Sequence, residues 1–161
     1  MNNLQIFEQY KKRKITYYHG LGGSPTRIIT NLFNRHGYDS YSPYINYDRE
    51  WYLDKGKSLF LRELEKSQDS DIIMGLSLGG YLAYNVAKAM NKKCVLINPS
   101  INRAKSLLDI KEFDMNYDPT FPKIKVFFGT LDDLVIDRYQ IDVLNRNGDD
   151  YEAIYIEGII V

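Results

Sequence analysis

Along most of the chain, short apolar runs alternate with longer segments of helical spacing. Ile15 to Tyr18 is a β-rich run that stops at His19-Gly20. Thr26 to His36 carries Ile28, Ile29, Leu32 and Phe33 at helical spacing, with Gly37 where a helix C-terminus wants it. Tyr38 to Tyr41 reads as a short strand, and Trp51 to Lys66 as a helix with Leu53, Leu59, Phe60 and Leu64 on one side. Asp71 to Gly75 is a buried-strand pattern, followed by a helix from Leu78 to Met90. Lys93 to Ile97 is a strand closed by Asn98-Pro99, and Ile101 to Ile110 is helical. Lys123 to Phe128, Asp137 to Asn145 and Tyr151 to Ile156 give strand, helix and strand. Strands alternating with helices of about 10–15 residues predict an α/β fold: a mostly parallel central sheet with helices on both faces.

At 161 residues the chain fits one domain, 15–161, behind a polar leader at 1–14 that ends in Lys11-Lys12-Arg13-Lys14. The leader reads as a solvated segment or an arm for an anion or partner. Lys+Arg 21 against Asp+Glu 21 leaves no net charge, which argues against nucleic acid as a partner. A single cysteine, Cys94, excludes an internal disulfide and a paired-cysteine metal site, and no metal or cofactor is expected. Neither a secretory signal nor a membrane span is legible, so the expected location is cytoplasmic.

The chemistry concentrates in Gly75-Leu76-Ser77-Leu78-Gly79-Gly80-Tyr81. Gly-x-Ser-x-Gly directly after a buried strand and before a helix is the context of a nucleophile elbow. The turn forces strained backbone angles on the serine, and small neighbours let strand and helix approach. Ser77 then stands at a helix N-terminus, where the Leu78 N–H can stabilise an oxyanion. His19-Gly20-Leu21-Gly22-Gly23 follows the first central strand, where a second donor, the Leu21 N–H, is expected. The same loop could instead be a phosphate cradle or a plain turn, although it lacks the Gly-Lys-Ser/Thr ending of a Walker loop. Past a late strand, Asp132, with Asp133 as runner-up, is the acid that would orient a catalytic histidine.

Tyr18-His19-Gly20 with Ser24-Pro25, the Gly75–Tyr81 elbow, Asn98-Pro99 and the stretch from Gly129 to Val135 together resemble the α/β-hydrolase superfamily, in particular small bacterial YqiA-type esterases. The resemblance implies hydrolysis of a small acyl ester, with Ser77 as nucleophile, Asp132 as acid and Leu21 and Leu78 as oxyanion donors. His19, Gly20, Gly75, Gly79 and Gly80 would shape the loops. In that family a histidine follows the last strand in a Glu-Gly-x-x-His ending. Here Glu157-Gly158-Ile159-Ile160-Val161 sets Val161 in its place, so the expected domain is a minimal, C-terminally truncated one that lacks its base.

Two functional readings follow. One is a serine esterase completed by a histidine from a partner chain or from lost sequence. The other is a catalytically inactive hydrolase-fold binding or structural module. His19 is weighed as a substitute base and His36 as a surface or capping residue. Without the usual final helix, Ile156, Ile159 and Ile160 would leave an apolar surface for self-association. Tyr38, Tyr41, Tyr44, Tyr47, Trp51 and Tyr52 either cover the core or line an acyl pocket or interface, and Cys94 reads as buried and inert.

Overall fold

In the computed structural model, which describes residues 12–101, 122–130 and 137–157, the described residues form one six-stranded sheet with helices on both faces. The strands are β1 (Arg13–Tyr18), β2 (Tyr38–Tyr41), β3 (Ile72–Leu76), β4 (Lys93–Ile97), β5 (Ile124–Gly129) and β6 (Tyr151–Ile156). The order is β2-β1-β3-β4-β5-β6 and each neighbouring pair runs parallel. The helices are α1 (Arg27–Arg35), α2 (Tyr47–Asp54), α3 (Lys57–Lys66), α4 (Leu78–Met90) and α5 (Asp137–Arg146). The predicted α/β alternation therefore stands.

Side chains on successive strand residues point to opposite faces, so the register sorts the sheet into two surfaces. Ile73, Cys94, Leu96, Ile124, Val126 and Phe128 lie on one face and are buried in the core with α4 and α5. Ile72, Met74, Val95, Ile97 and Phe127 lie on the other face and are half-buried. On that second face the Tyr17 ring meets Phe33 of α1, with centroids 6.1 Å apart.

One local expectation changes. The single helix predicted from Trp51 to Lys66 is two, α2 and α3, because Lys55 and Gly56 both take positive φ (56° and 86°). Asn46 caps α2, accepting the Arg49 N–H at 3.1 Å, so the helix also begins four residues earlier than its apolar spacing suggests. Asp54, the last residue of α2, accepts the Ser58 N–H at 2.9 Å and so helps satisfy the first turn of α3. The helix predicted over Thr26 to His36 forms as α1, but although it carries an apolar stripe, none of its residues is buried.

A polar seam fixes β1 to α3. The Tyr18 hydroxyl lies 2.9 Å from Ser67 Oγ, and Thr16 Oγ1 lies 2.7 Å from Ser70 Oγ. Beside it Glu63, fully buried, is bridged by Arg62 Nε at 3.0 Å, while Arg62 Nη1 reaches Glu50 at 3.0 Å. Burial raises the Glu63 carboxyl above its ordinary range despite the guanidinium. Cys94 is buried and its thiol is pushed upward by burial, as its inert reading requires.

Candidate active site

The strand order reverses direction between β1 and β3, since β1 leads to β2 on one side and β3 begins the run to the other. In open parallel sheets the crevice beyond the carboxyl ends of the strands at such a switch is where ligands bind. The loops leaving β1 and β3 carry His19-Gly20-Leu21 and Ser77 respectively.

Ser77 lies between β3 and α4 with φ 51° and ψ −119°. That region is nearly closed to residues bearing a Cβ and costs roughly 1–3 kcal/mol. Neighbouring backbone holds the residue there: its N–H donates to Ile97 O at 3.0 Å, and its carbonyl accepts Gly80 N–H and Ser100 N–H, each at 2.9 Å. Serine is a good helix N-cap, yet the Ser77 hydroxyl makes no capping bond to α4. The residue is half-exposed.

The motif glycines serve space and not φ, because none of Gly75, Gly79 and Gly80 has a positive φ. A Cβ on Gly75 would stand 2.1 Å from Gly79 O, and one on Gly79 would stand 2.3 Å from both Tyr18 O and His19 O. Strand β3, helix α4 and the end of β1 thus meet at backbone contact. Gly80 faces the Pro99 ring. The loop after β1 closes over the same place: a Cβ on Gly20 would lie 3.2 Å from Ser77 Cβ and 3.8 Å from Ser77 Oγ.

That loop is a turn closed by Gly23 N–H to Gly20 O at 3.1 Å, with Leu21 exposed at its tip. Leu78 is the first residue of α4. Among the described residues neither the Leu21 N–H nor the Leu78 N–H has a partner.

His19 is buried and both its ring nitrogens are committed. Nδ1 lies 2.8 Å from Gly20 O, and Nε2 accepts the Ile45 N–H at 2.9 Å. A carbonyl on one side and a donor on the other fix the neutral tautomer with its proton on Nδ1. The ring stacks on Tyr44 and meets Tyr47 edge-on, and the Tyr47 hydroxyl donates to His19 O at 2.7 Å. With its only lone pair already occupied, His19 cannot take a proton from Ser77. The ring instead ties the Gly20 loop to the 42–47 segment. His36 caps the C-terminal end of α1, just before β2 begins, and so sits at the amino ends of the parallel strands, whereas Ser77 lies past the carboxyl end of β3.

Asp132, its runner-up Asp133 and Val161 lie outside the described residues, as do Ile159 and Ile160. The tyrosine-rich segment divides: Tyr47 is core, while Tyr44 and Tyr52 are exposed. No group of His, Cys, Asp or Glu among the described residues could hold a metal. None of the described helices is long and apolar enough to cross a membrane. The Ile45 and Ser100 N–H groups that donate to His19 and Ser77 could not be read from the residue pattern, since backbone donors have no residue signature.

A family model described as an uncharacterised protein family, UPF0227, matches residues 14–120. No curated protein matches the chain in sequence. Among solved structures, an α/β hydrolase enzyme from a sediment metagenome of the Mar Chica lagoon, Morocco, is 16% identical, with TM-score 0.66 over 92% of this chain and 82% of that one. A carboxylesterase of Nitrososphaera gargenis is 15% identical, with TM-score 0.63 over 93% and 83%. The monoacylglycerol lipase of Paleococcus ferrophilus is 12% identical, with TM-score 0.62 over 90% and 84%. At these identities the likeness is one of fold, and the fold is that of α/β hydrolases.

Proposed function

The chain belongs to the UPF0227 family and has the α/β-hydrolase fold, and from that premise we propose that it is a serine acyl hydrolase acting on a small ester. The observation that carries the reading is the strained, half-exposed Ser77, whose hydroxyl is not spent on capping α4. Its Oγ attacks the ester carbonyl carbon, the carbonyl oxygen becomes an oxyanion held by the Leu21 and Leu78 N–H groups, and the alcohol leaves with a proton. Water then hydrolyses the acyl-serine and restores the hydroxyl. Asp132 is the proposed acid, set past the end of β5 to orient the base.

The Ser77 proton needs an acceptor, and neither histidine of the sequence is placed to be it. The base in this proposal therefore comes from outside the two, as a histidine of a partner chain would. Where none arrives, the oxyanion donors and binding alone retain ~10³–10⁴-fold acceleration over water. The committed nitrogens of His19 also favour a second reading, a hydrolase-fold binding module without turnover.

Intact mass after a fluorophosphonate probe separates the two. In the enzyme, Ser77 Oγ bonds to phosphorus, fluoride leaves and the hydroxyl proton is lost. One adduct is expected, and it vanishes in Ser77→Ala. No adduct on the native chain overturns the hydrolase reading and leaves the module.

Self-association belongs to the same proposal. The edge strand β6 pairs only with β5 among the described residues, and it exposes Tyr155. A dimer or larger species is expected by light scattering at micromolar concentration, and a monomer there removes this part.

A further inference from the structure

We infer that Asn98 is a positioning residue that couples the Ser77 elbow to the point where the chain leaves β5 for Asp132. The inference rests on the acyl-hydrolase reading above. Asn98 is buried at the carboxyl end of β4 and has φ 38°, a left-handed backbone that asparagine tolerates better than most residues. The register of β4 and β5 ends at Ile97 and Phe127. Beyond it, the Asn98 N–H still donates to Phe127 O at 2.8 Å, as a parallel ladder requires.

The next ladder bond is the informative one. In a regular parallel pair the Gly129 N–H would meet the backbone carbonyl of Asn98. The left-handed turn swings that carbonyl away, and the Gly129 N–H donates instead to Asn98 Oδ1, at 2.6 Å. The side-chain carbonyl thus replaces the main-chain one, and β5 stays in register to its last residue. The same turn sends Pro99 against Gly80 and brings the Ser100 N–H to Ser77 O at 2.9 Å.

One residue therefore does two jobs. Its backbone releases the chain toward the elbow, and its side chain holds the strand from which the acid-bearing stretch departs, with Asp132 three residues past Gly129. Thr130 N–H to Ile156 O, at 3.1 Å, continues the stitching to β6. Asparagine and aspartate combine tolerance of this φ with a carbonyl oxygen at the right reach. Glycine allows the turn but offers no acceptor.

The test compares native protein, Asn98→Gly and Asn98→Asp, each well below its own unfolding midpoint. The readouts are the rate of fluorophosphonate labelling at Ser77 and the kcat and KM for a small ester. Asn98→Gly is expected to slow labelling and kcat by about tenfold or more with KM nearly unchanged, a part of the ~10⁴ that a misdirected base costs a serine triad. Asn98→Asp, which keeps the acceptor, is expected to stay within about threefold of native. A native rate in Asn98→Gly overturns the inference and leaves the hydrolase reading standing. Equal loss in both variants overturns it too, since the acceptor would not then be what matters. No adduct on the native chain removes the hydrolase reading first and the inference with it.

Discussion

Helices α4 and α1 lie against opposite faces of one sheet, and they could hardly be treated more differently by it. Every residue from Leu78 to Ala87 is buried, whereas α1 buries none, leaving Ile28 79% and Leu32 51% exposed. Yet α1 has the clean apolar stripe in sequence, while α4 mixes Ala, Leu, Tyr and Val on all sides. A helix that is apolar all round is one the fold encloses. A stripe shows only that a helix has an apolar side, not what covers it. The enclosed helix is also the one whose N-terminus carries Ser77.

Breaking the close approach at the head of α4 should have the largest effect. Gly79→Ala puts a methyl 2.3 Å from two carbonyl oxygens of the β1 end, where neither backbone can yield. Overpacking of this kind costs about 3 kcal/mol or more, and urea unfolding is expected to show that loss or a chain that does not fold.

A smaller loss is expected at the other end of α4. There the Tyr84 hydroxyl donates to Asp149 Oδ2 at 2.6 Å and accepts from Asn147 Nδ2 and Lys88 Nζ. Lys88 Nζ also pairs with Asp149 Oδ1 at 2.6 Å, with side chains 13% and 0% exposed. Asp149→Ala should cost about 2–3 kcal/mol in urea unfolding, below a fully buried pair because Lys88 keeps some water. An unchanged midpoint would show that α4 needs no pin at this end.

The smallest effect belongs to α1. Ile28→Ser, at a position already in water, should shift stability by less than about 0.5 kcal/mol. A loss of 2 kcal/mol or more would mean that the stripe is covered in solution, and the contrast between the helices would weaken.

Much of the fold was legible because local rules agree with it. Runs such as Ile72-Ile73-Met74 and Val95-Leu96-Ile97 are strands in any context with two covered faces. The elbow was legible because Gly75, Ser77 and Gly79 are needed together wherever strand and helix touch at backbone distance. The break at Lys55-Gly56 was less so: apolar spacing runs through it, and one glycine inside a helical pattern is usually tolerated. The exposed stripe of α1 was illegible, since periodicity carries no information about the neighbour.

The sequence by itself determined the alternation of strands and helices, the strained serine between β3 and α4, and the glycine loop after β1. Only the tertiary structure decided that His19 is a strut and not a base, because its lone pair goes to an N–H 26 residues away. It alone decided that Asn98 lends its side chain to a glycine 31 residues on. Both depend on which backbone groups the sheet brings within reach. Backbone groups are the same in every residue but proline, so a sequence cannot name the ones that will meet.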